Sequence, residues 1–157
     1  GRSIFRDKWR IGGCPVNGPA IAAHDGSVVV AWYTEANATP LVRMIRSDDD
    51  GRSFGSPVTI DPDLPVGRVD IDLLESGDAA VSWMGKSARD EGTLLWREVS
   101  KTGRLGPLQK VTNISTRRNA GFPQMSRVGD GLLFAWTDTS VGTSTIQTAH
   151  VLFSPEN

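Results

Sequence analysis

The chain has 157 residues, a formal net charge of −1 and 38% hydrophobic residues, enough for one domain with a sizeable core. The balanced charge gives no sign of a nucleic-acid partner, and no apolar run approaches the roughly 18 residues that span a bilayer. Its glycines and prolines divide it into short segments, and no 3.6-residue apolar period is sustained over a helix length. We therefore expect an all-β domain that neither binds nucleic acid nor inserts into a membrane.

The first strand-like segment covers residues 4–11 and precedes Cys14. A single cysteine excludes an internal disulfide. Cys14 is either a small buried hydrophobe or a thiol whose partner lies on another chain or on a missing part of this one. The chain begins with Gly-Arg-Ser and shows no signal segment.

Three tryptophans, Trp32, Trp83 and Trp136, recur about 50 residues apart, each after an apolar and a small residue. Two predicted strands joined by a tight turn lead into each Trp, and a polar loop and a third strand follow it. With a fourth strand, this unit is typical of a β-propeller blade. We expect one half-propeller domain over 1–157, with repeats at approximately 12–61, 62–113 and 114–157. An immunoglobulin-like sandwich is the alternative, but it does not predict a Trp recurring at one place.

The tryptophans themselves have two interpretations. Exposed aromatic rings would form a platform on which a sugar stacks. Each Trp, however, follows a small residue at the end of an apolar strand, which favours packing in the core between blades. We therefore expect all three rings in the core.

Residues 47–54 fit the pattern Ser-x-Asp-x-Gly-x-x-aromatic, the "Asp-box" turn. Ser47 and Asp49 have short side chains that hydrogen-bond to nearby backbone groups. Gly51 takes a left-handed conformation without steric cost, and Phe54 covers the base of the hairpin with apolar area. The octet is therefore predicted to lock a hairpin between two strands.

A calcium loop is the competing interpretation of the three consecutive aspartates. With glycine at loop position 6, however, Arg46 occupies position 1 and Pro57 position 12, so the EF-hand register fails and no metal is expected. In the second repeat the corresponding turn, residues 100–107, keeps Ser, Gly and Pro but has lost the Asp. In the third repeat the chain ends at residues 153–157, where the box would begin.

From Trp9 to Trp136 the chain resembles the C-terminal half of bacterial sialidase-like proteins with BNR (Asp-box) repeats. Four motifs carry the resemblance: Gly13-Cys14-Pro15-Val16-Asn17-Gly18-Pro19-Ala20, Ala31-Trp32-Tyr33-Thr34, the octet 47–54, and Gly67-Arg68-Val69-Asp70. The resemblance implies a periplasmic or extracellular location. It implies no particular activity, since most members of this group have none established.

Sialidases use three arginines that bind a carboxylate, a Tyr–Glu pair and an Asp acid. The single tyrosine, Tyr33, points to the opposite strand face from Trp32, and its spacing to Glu35 does not reproduce the family pattern. The family's Arg-Ile-Pro motif is absent as well. We therefore expect a non-catalytic module for carbohydrate or protein binding or for assembly, without catalytic residues or cofactors. The alternatives are a hydrolase active only as a completed propeller and a structural fragment of a longer protein.

Three blades are too few for a ring, since propellers typically carry four to eight. Residues 1–11 occupy the repeat register of an outer strand, and the third repeat lacks such a strand. We expect two copies to form a six-bladed ring in which each N-terminal strand completes the third blade of the other. The alternative is a half-propeller segment of a longer protein.

Loops leading into the inner strands of a propeller line one mouth of its channel. The candidate ligand-binding residues at that mouth are Asn17, Arg68, Asp70, Arg117, Arg118 and Asn119. Arg117 and Arg118 either meet an anionic group or lie in a solvated loop. Arg68 and Asp70, two apart on one strand face, either contribute to a site or only pair with each other.

Overall fold

The computed structural model describes residues 1–12, 16–63, 65–86, 91–140 and 142–153. Cys14 and the last four residues, where the third box was expected, lie outside the described residues. The described strands are β1 Ala20–His24, β2 Ser27–Thr34, β3 Leu41–Ser47, β4 Val58–Asp61, β5 Pro65–Leu73, β6 Ala79–Lys86, β7 Glu91–Val99, β8 Gln109–Ser115, β9 Gln124–Val128, β10 Gly131–Asp138 and β11 Thr145–Leu152. The described helical segments are two 3-10 turns, Ala36–Ala38 and Arg118–Ala120. No helix in the described part of the chain is long and apolar enough to cross a membrane.

The strands form three antiparallel sheets, each a meander in chain order. Sheet 1 is β1-β2-β3-β4, sheet 2 is β5-β6-β7-β8, and sheet 3 is β9-β10-β11. The strands β1, β5 and β9, which begin the three sheets, contact one another in turn. The all-β class and the repeated meander predicted from the tryptophan spacing are thereby confirmed.

The sheets stack face to face with a hydrophobic core at each of two junctions. The core between sheets 1 and 2 includes Val29, Val42, Ile71, Val81 and Trp83. The core between sheets 2 and 3 includes Ala80, Met84, Leu94, Trp96, Met125 and Phe134. Because sheet 2 has a neighbour on both faces, the described residues of β6 are buried from Ala79 to Gly85. This explains why that strand reads as a continuous run of apolar and small residues.

Residues 1–12 are not a strand, in contrast to the outer strand expected over residues 4–11. The segment is held by side chains instead. Asp7 Oδ2 accepts a hydrogen bond of 3.0 Å from Nε1 of Trp32, and the Phe5 ring lies 5.7 Å from the Trp32 ring. The Trp9 ring meets Tyr33 edge to face at 5.6 Å. A strand requires backbone pairing with a neighbour. The contacts of Phe5 and Asp7 with Trp32 instead hold the segment on the face of sheet 1 that points away from sheet 2, and Trp9 contacts Tyr33, which points to the opposite face.

Candidate ligand-binding groove

The octet 47–54 forms a closed network of short hydrogen bonds. The Ser47 hydroxyl donates to Asp49 Oδ1 at 2.7 Å and accepts from the Gly51 N–H at 2.9 Å. Asp49 also accepts from the Ser53 N–H at 2.8 Å and from its hydroxyl at 2.6 Å. The Ser53 hydroxyl, then the Ser53 N–H, hold the pKa of Asp49 well below its usual range. Gly51 has φ +75°, so the turn uses the left-handed freedom of glycine.

The turn of sheet 2 keeps the same frame without the carboxylate. The Arg104 N–H donates to Ser100 Oγ at 3.0 Å, four residues apart as in the pair Gly51 and Ser47. The Thr102 hydroxyl lies 2.9 Å from Ser100 Oγ and takes the place of the aspartate. Both turns therefore stabilise hairpins through their own side chains, which favours a structural role for the octet over a binding role.

Asn17 joins the segment before sheet 1 to the first strand of sheet 2. Its Nδ2 donates to the Val66 carbonyl at 3.2 Å, and its Oδ1 accepts from the Arg68 N–H at 3.0 Å. Gly67 lies between these two contacts with φ +102°, and an added Cβ would stand 2.6 Å from the Asn17 amide. The amide of Asn17 thus has protein partners on both of its polar ends.

Arg68 and Asp70 connect sheet 2 to sheet 3. One Arg68 guanidinium nitrogen donates to the carbonyls of Thr116 and Arg117 at 3.0 and 2.9 Å. The guanidinium also lies 5.6 Å from the ring centre of Phe122, and burial lowers the pKa of Arg68. Asp70 Oδ2 accepts from the Met125 N–H at 2.7 Å. Arg68 therefore holds the loop that joins the two sheets, and Asp70 bonds β9 of sheet 3.

Asp72, which the sequence did not single out, repeats the role of Asp70 two residues further along β5. Its Oδ2 accepts from the Arg127 N–H at 2.7 Å, at the same junction with β9. Burial raises the pKa of Asp70, although its hydrogen bonds to backbone N–H groups act in the opposite direction. The sequence signal for Asp70 and Asp72 is their spacing of two residues, because residues two apart point to the same face of a strand.

Arg117, Arg118 and Asn119 lie in an exposed loop between β8 and β9. Arg117 also lines a wide groove of about 1100 Å³ between sheets 2 and 3. The loop is thus beside the groove and held to β5 through the Arg117 carbonyl. Among the described residues, the groove is lined by Glu91, Thr112–Arg117, Trp136–Ser140 and Gln147.

A change in one interblade contact accompanies this groove. Trp32 and Trp83 each donate an indole hydrogen bond to an aspartate, Asp7 at 3.0 Å and Asp61 at 2.5 Å. Asp61 pairs with Val42, which pairs with Tyr33, the residue after Trp32. In sheet 2, the residue after Trp83 is Met84, which pairs with Leu94, and Leu94 in turn pairs with Thr112. Thr112 therefore stands where sheet 1 has Asp61.

Because Thr112 occupies this position, it offers Trp136 no carboxylate of the kind that Asp61 offers Trp83. The Thr112 hydroxyl donates instead to the Asn113 carbonyl at 3.3 Å. Trp136 is half-buried and lines the groove, whereas Trp83 is 1% exposed. Trp83 is thus fully in the core as expected, whereas Trp32 and Trp136 are both half-buried, and Trp136 packs against the core between sheets 2 and 3 while it also lines the groove. The sequence signal for this difference at Trp136 is the change from Asp61 on β4 to Thr112 on β8. That change can be recognised only once the strand register is known.

A second cavity, of about 520 Å³, lies beside Tyr33 and Glu35. The Tyr33 hydroxyl donates to Glu35 Oε1 at 2.5 Å. Burial, then Glu35, raises the pKa of Tyr33 above its ordinary value. Lys86 is the one cationic side chain among the described residues that line the cavity. The three-arginine carboxylate clamp of sialidases has no counterpart among them.

Consecutive antiparallel meanders, stacked face to face and joined through their first strands, are blades of a β-propeller. Among solved structures, the chain is similar to the Hadza microbial sialidase Hz136, with 20% identity and a TM-score of 0.55 over 88% of this chain. It is also similar to the xylan β-1,4-xylosidase from Bacillus halodurans C-125, with 11% identity and a TM-score of 0.59 over 85% of this chain. These likenesses confirm the propeller fold.

The chain spans 33% of the sialidase and 27% of the xylosidase. No protein-family model matches the chain, and no curated protein sequence matches it either.

Proposed function

We propose that this chain is a sialidase-like propeller module of the Asp-box type that binds a neutral oligosaccharide in the groove between sheets 2 and 3 without cleaving it. The single observation that carries the proposal is Trp136, a half-buried indole that lines the groove without the aspartate partner of the other two tryptophans. An exposed indole face can pack against the C–H face of a sugar ring, and its N–H remains a donor.

The remaining groove lining suits sugar hydroxyls. Carboxylates (Glu91, Asp138), hydroxyls (Thr112, Thr137) and the Gln147 amide offer donors and acceptors around the indole. A few polar groups that fix orientation beside an apolar surface are typical of small-molecule sites. The names of the two similar structures, a sialidase and a xylosidase, support a carbohydrate as the ligand class.

One carboxyl of the groove supports the non-catalytic part of the proposal. A glycosidase protonates its leaving group with a carboxyl whose pKa is raised by its surroundings. Asp138 in the groove accepts from the Ser140 N–H at 2.8 Å, and this bond holds its pKa below the usual value.

The resemblance to exported proteins further supports a periplasmic or extracellular site of action.

Calorimetric titration with a panel of neutral and acidic oligosaccharides tests the proposal. We expect a neutral oligosaccharide to bind the wild-type chain and to lose at least tenfold in affinity with Trp136→Ala. Trp9→Ala is the matched control, because it removes an indole from the other cavity and should leave affinity within twofold. Equal losses in both variants would reject the groove. Hydrolysis of a chromogenic sialoside or xyloside that Tyr33→Phe abolishes would reject the non-catalytic assignment.

A further inference from the structure

Sheet 3 exposes on its outer face the residues that the other sheets bury. By register with the recurring Trp, Leu133 corresponds to Val29 and Ala80, and Ile146 corresponds to Val42 and Leu94. All four of these counterparts are 0% exposed, whereas Leu133 is 38% and Ile146 is 71% exposed. The outer face of sheet 3 thus has the pattern of a blade face that packs on a following blade.

Sheet 1 shows the complementary exposure on its opposite face. Ile21 is 68% exposed, although its counterparts Ile71 and Met125 are 4% and 7% exposed in the two cores. In those cores Ile71 lies in one cluster with Val29, and Met125 lies in one cluster with Ala80. The counterparts of Ile21 and Leu133 therefore meet at both junctions inside the chain.

The N-terminal segment shows which kind of element packs on this face of sheet 1. Asp61 is on β4, the outermost strand of sheet 1, and it bonds Trp83 of the next sheet. Asp7 makes the same bond to Trp32. Residues 1–11 therefore lie where the outermost strand of a preceding blade would lie. Sheet 3, whose described residues end with β11 as its edge, has no fourth strand within the described residues.

We propose that the preceding blade is sheet 3 of a second copy of this chain. Sheet 3 of each copy packs on sheet 1 of the other, and residues 1–11 pair with β11 of the other copy as its fourth strand. A two-fold axis then makes both junctions identical and closes six blades, within the usual range of four to eight. The added strand satisfies the exposed edge of β11, and both apolar faces become buried. This inference does not depend on the proposed function, because the groove lies between two sheets of one chain.

The mass of the chain in solution tests the proposal directly. Sedimentation velocity at micromolar concentration should give twice the chain mass of 16.9 kDa. Leu133→Glu and Ile21→Lys should each give a monomer, since each places a charge at both junctions. Leu108→Glu, at a position 53% exposed before β8, is the control and should remain dimeric. A wild-type mass of 16.9 kDa would overturn the proposal.

Mixing the two monomeric variants tests which faces meet. In a mixed pair, one junction is wild-type on both sides, and the other brings the two substituted positions together with opposite charges. We therefore expect a one-to-one mixture of Leu133→Glu and Ile21→Lys to recover the dimer mass. If sheet 3 instead packed on sheet 3, or sheet 1 on sheet 1, the mixture would not recover it, and the head-to-tail arrangement would be overturned.

Hydrogen exchange tests the strand addition separately. In the wild-type chain the outward amides of β11 should be protected, and Leu133→Glu should lose that protection at least tenfold while β6 stays protected. Removal of residues 1–11 should have the same effect on β11. Equal protection of β11 in the wild-type dimer and the shortened chain would reject the pairing of the segment with β11.

Discussion

Trp83 donates its indole hydrogen to Asp61 Oδ2 at 2.5 Å, across the junction between sheets 1 and 2. The tryptophan comes from the second strand of one sheet and the aspartate from the outermost strand of the sheet before it. The bond between Asp7 and Trp32 joins the same kinds of atoms at 3.0 Å, but its aspartate belongs to a segment without backbone pairing in the described chain. The two bonds therefore differ in how much of the fold depends on them.

We expect Asp61→Ala to lower the free energy of unfolding by about 1–3 kcal/mol, because it leaves a buried indole N–H without an acceptor. Asp7→Ala should cost less, since Trp32 is only half-buried. Urea denaturation measures both, with Asp63→Ala as the control at a neighbouring exposed carboxylate. Equal costs for Asp61→Ala and Asp63→Ala would show that the bond contributes nothing.

Thr112→Asp should supply the carboxylate that Trp136 lacks. We expect a gain of about 1 kcal/mol in stability, lower acrylamide quenching of tryptophan fluorescence, and at least a tenfold loss of oligosaccharide affinity. Thr112→Val is the matched control, because it removes the hydroxyl without adding an acceptor and should leave the groove open. Unchanged affinity in Thr112→Asp would separate the groove from the Trp–Asp contact.

Acid should selectively weaken the turn at Asp49. The folded pKa of Asp49 is lowered by Ser53, so its contribution to stability is complete above the unfolded pKa, near 3.8. That contribution is lost as pH falls through the lower folded value. The melting temperature of wild-type protein should therefore exceed that of Asp49→Asn at pH 6, with a gap that narrows toward pH 2. A gap independent of pH would show that the carboxylate charge is not what holds the turn.

The contribution of Asp70 to stability should depend on pH in the opposite direction from that of Asp49. Burial raises its folded pKa, so its protonated form contributes stability that is present below the unfolded pKa, near 3.8, and lost as pH rises through the folded value. Asn retains an acceptor for the Met125 N–H without the charge. We expect Asp70→Asn to match or exceed wild-type stability at pH 7 and to lose that advantage near pH 3.5, as measured by urea midpoints at the two values. A variant less stable than wild type at pH 7 would contradict this.

The sequence predicted the strands well because their causes are local or periodic. The tryptophan spacing located β2, β6 and β10, and the octet located the turn after β3, where the side chains of Ser47 and Asp49 bond within their own hairpin.

The contacts around the groove were harder to predict, because the interacting groups are far apart in the sequence and many of them are backbone groups. Asp70 and Asp72 bond backbone N–H groups of β9, and every non-proline residue offers such a group, so no residue pair signals the contact. Trp136 was assigned to the core with its two counterparts. Only the strand register shows that Thr112 has replaced the aspartate opposite it.

The Thr112 position has a practical consequence for how such folds diversify. The outer strand of sheet 1 supplies Asp61 to the tryptophan of the next sheet, whereas the outer strand of sheet 2 supplies Thr112 beside the groove. The two positions differ in a single side chain, and the strands around them keep the same register. Asp61→Thr would be the corresponding change for opening a cleft between sheets 1 and 2.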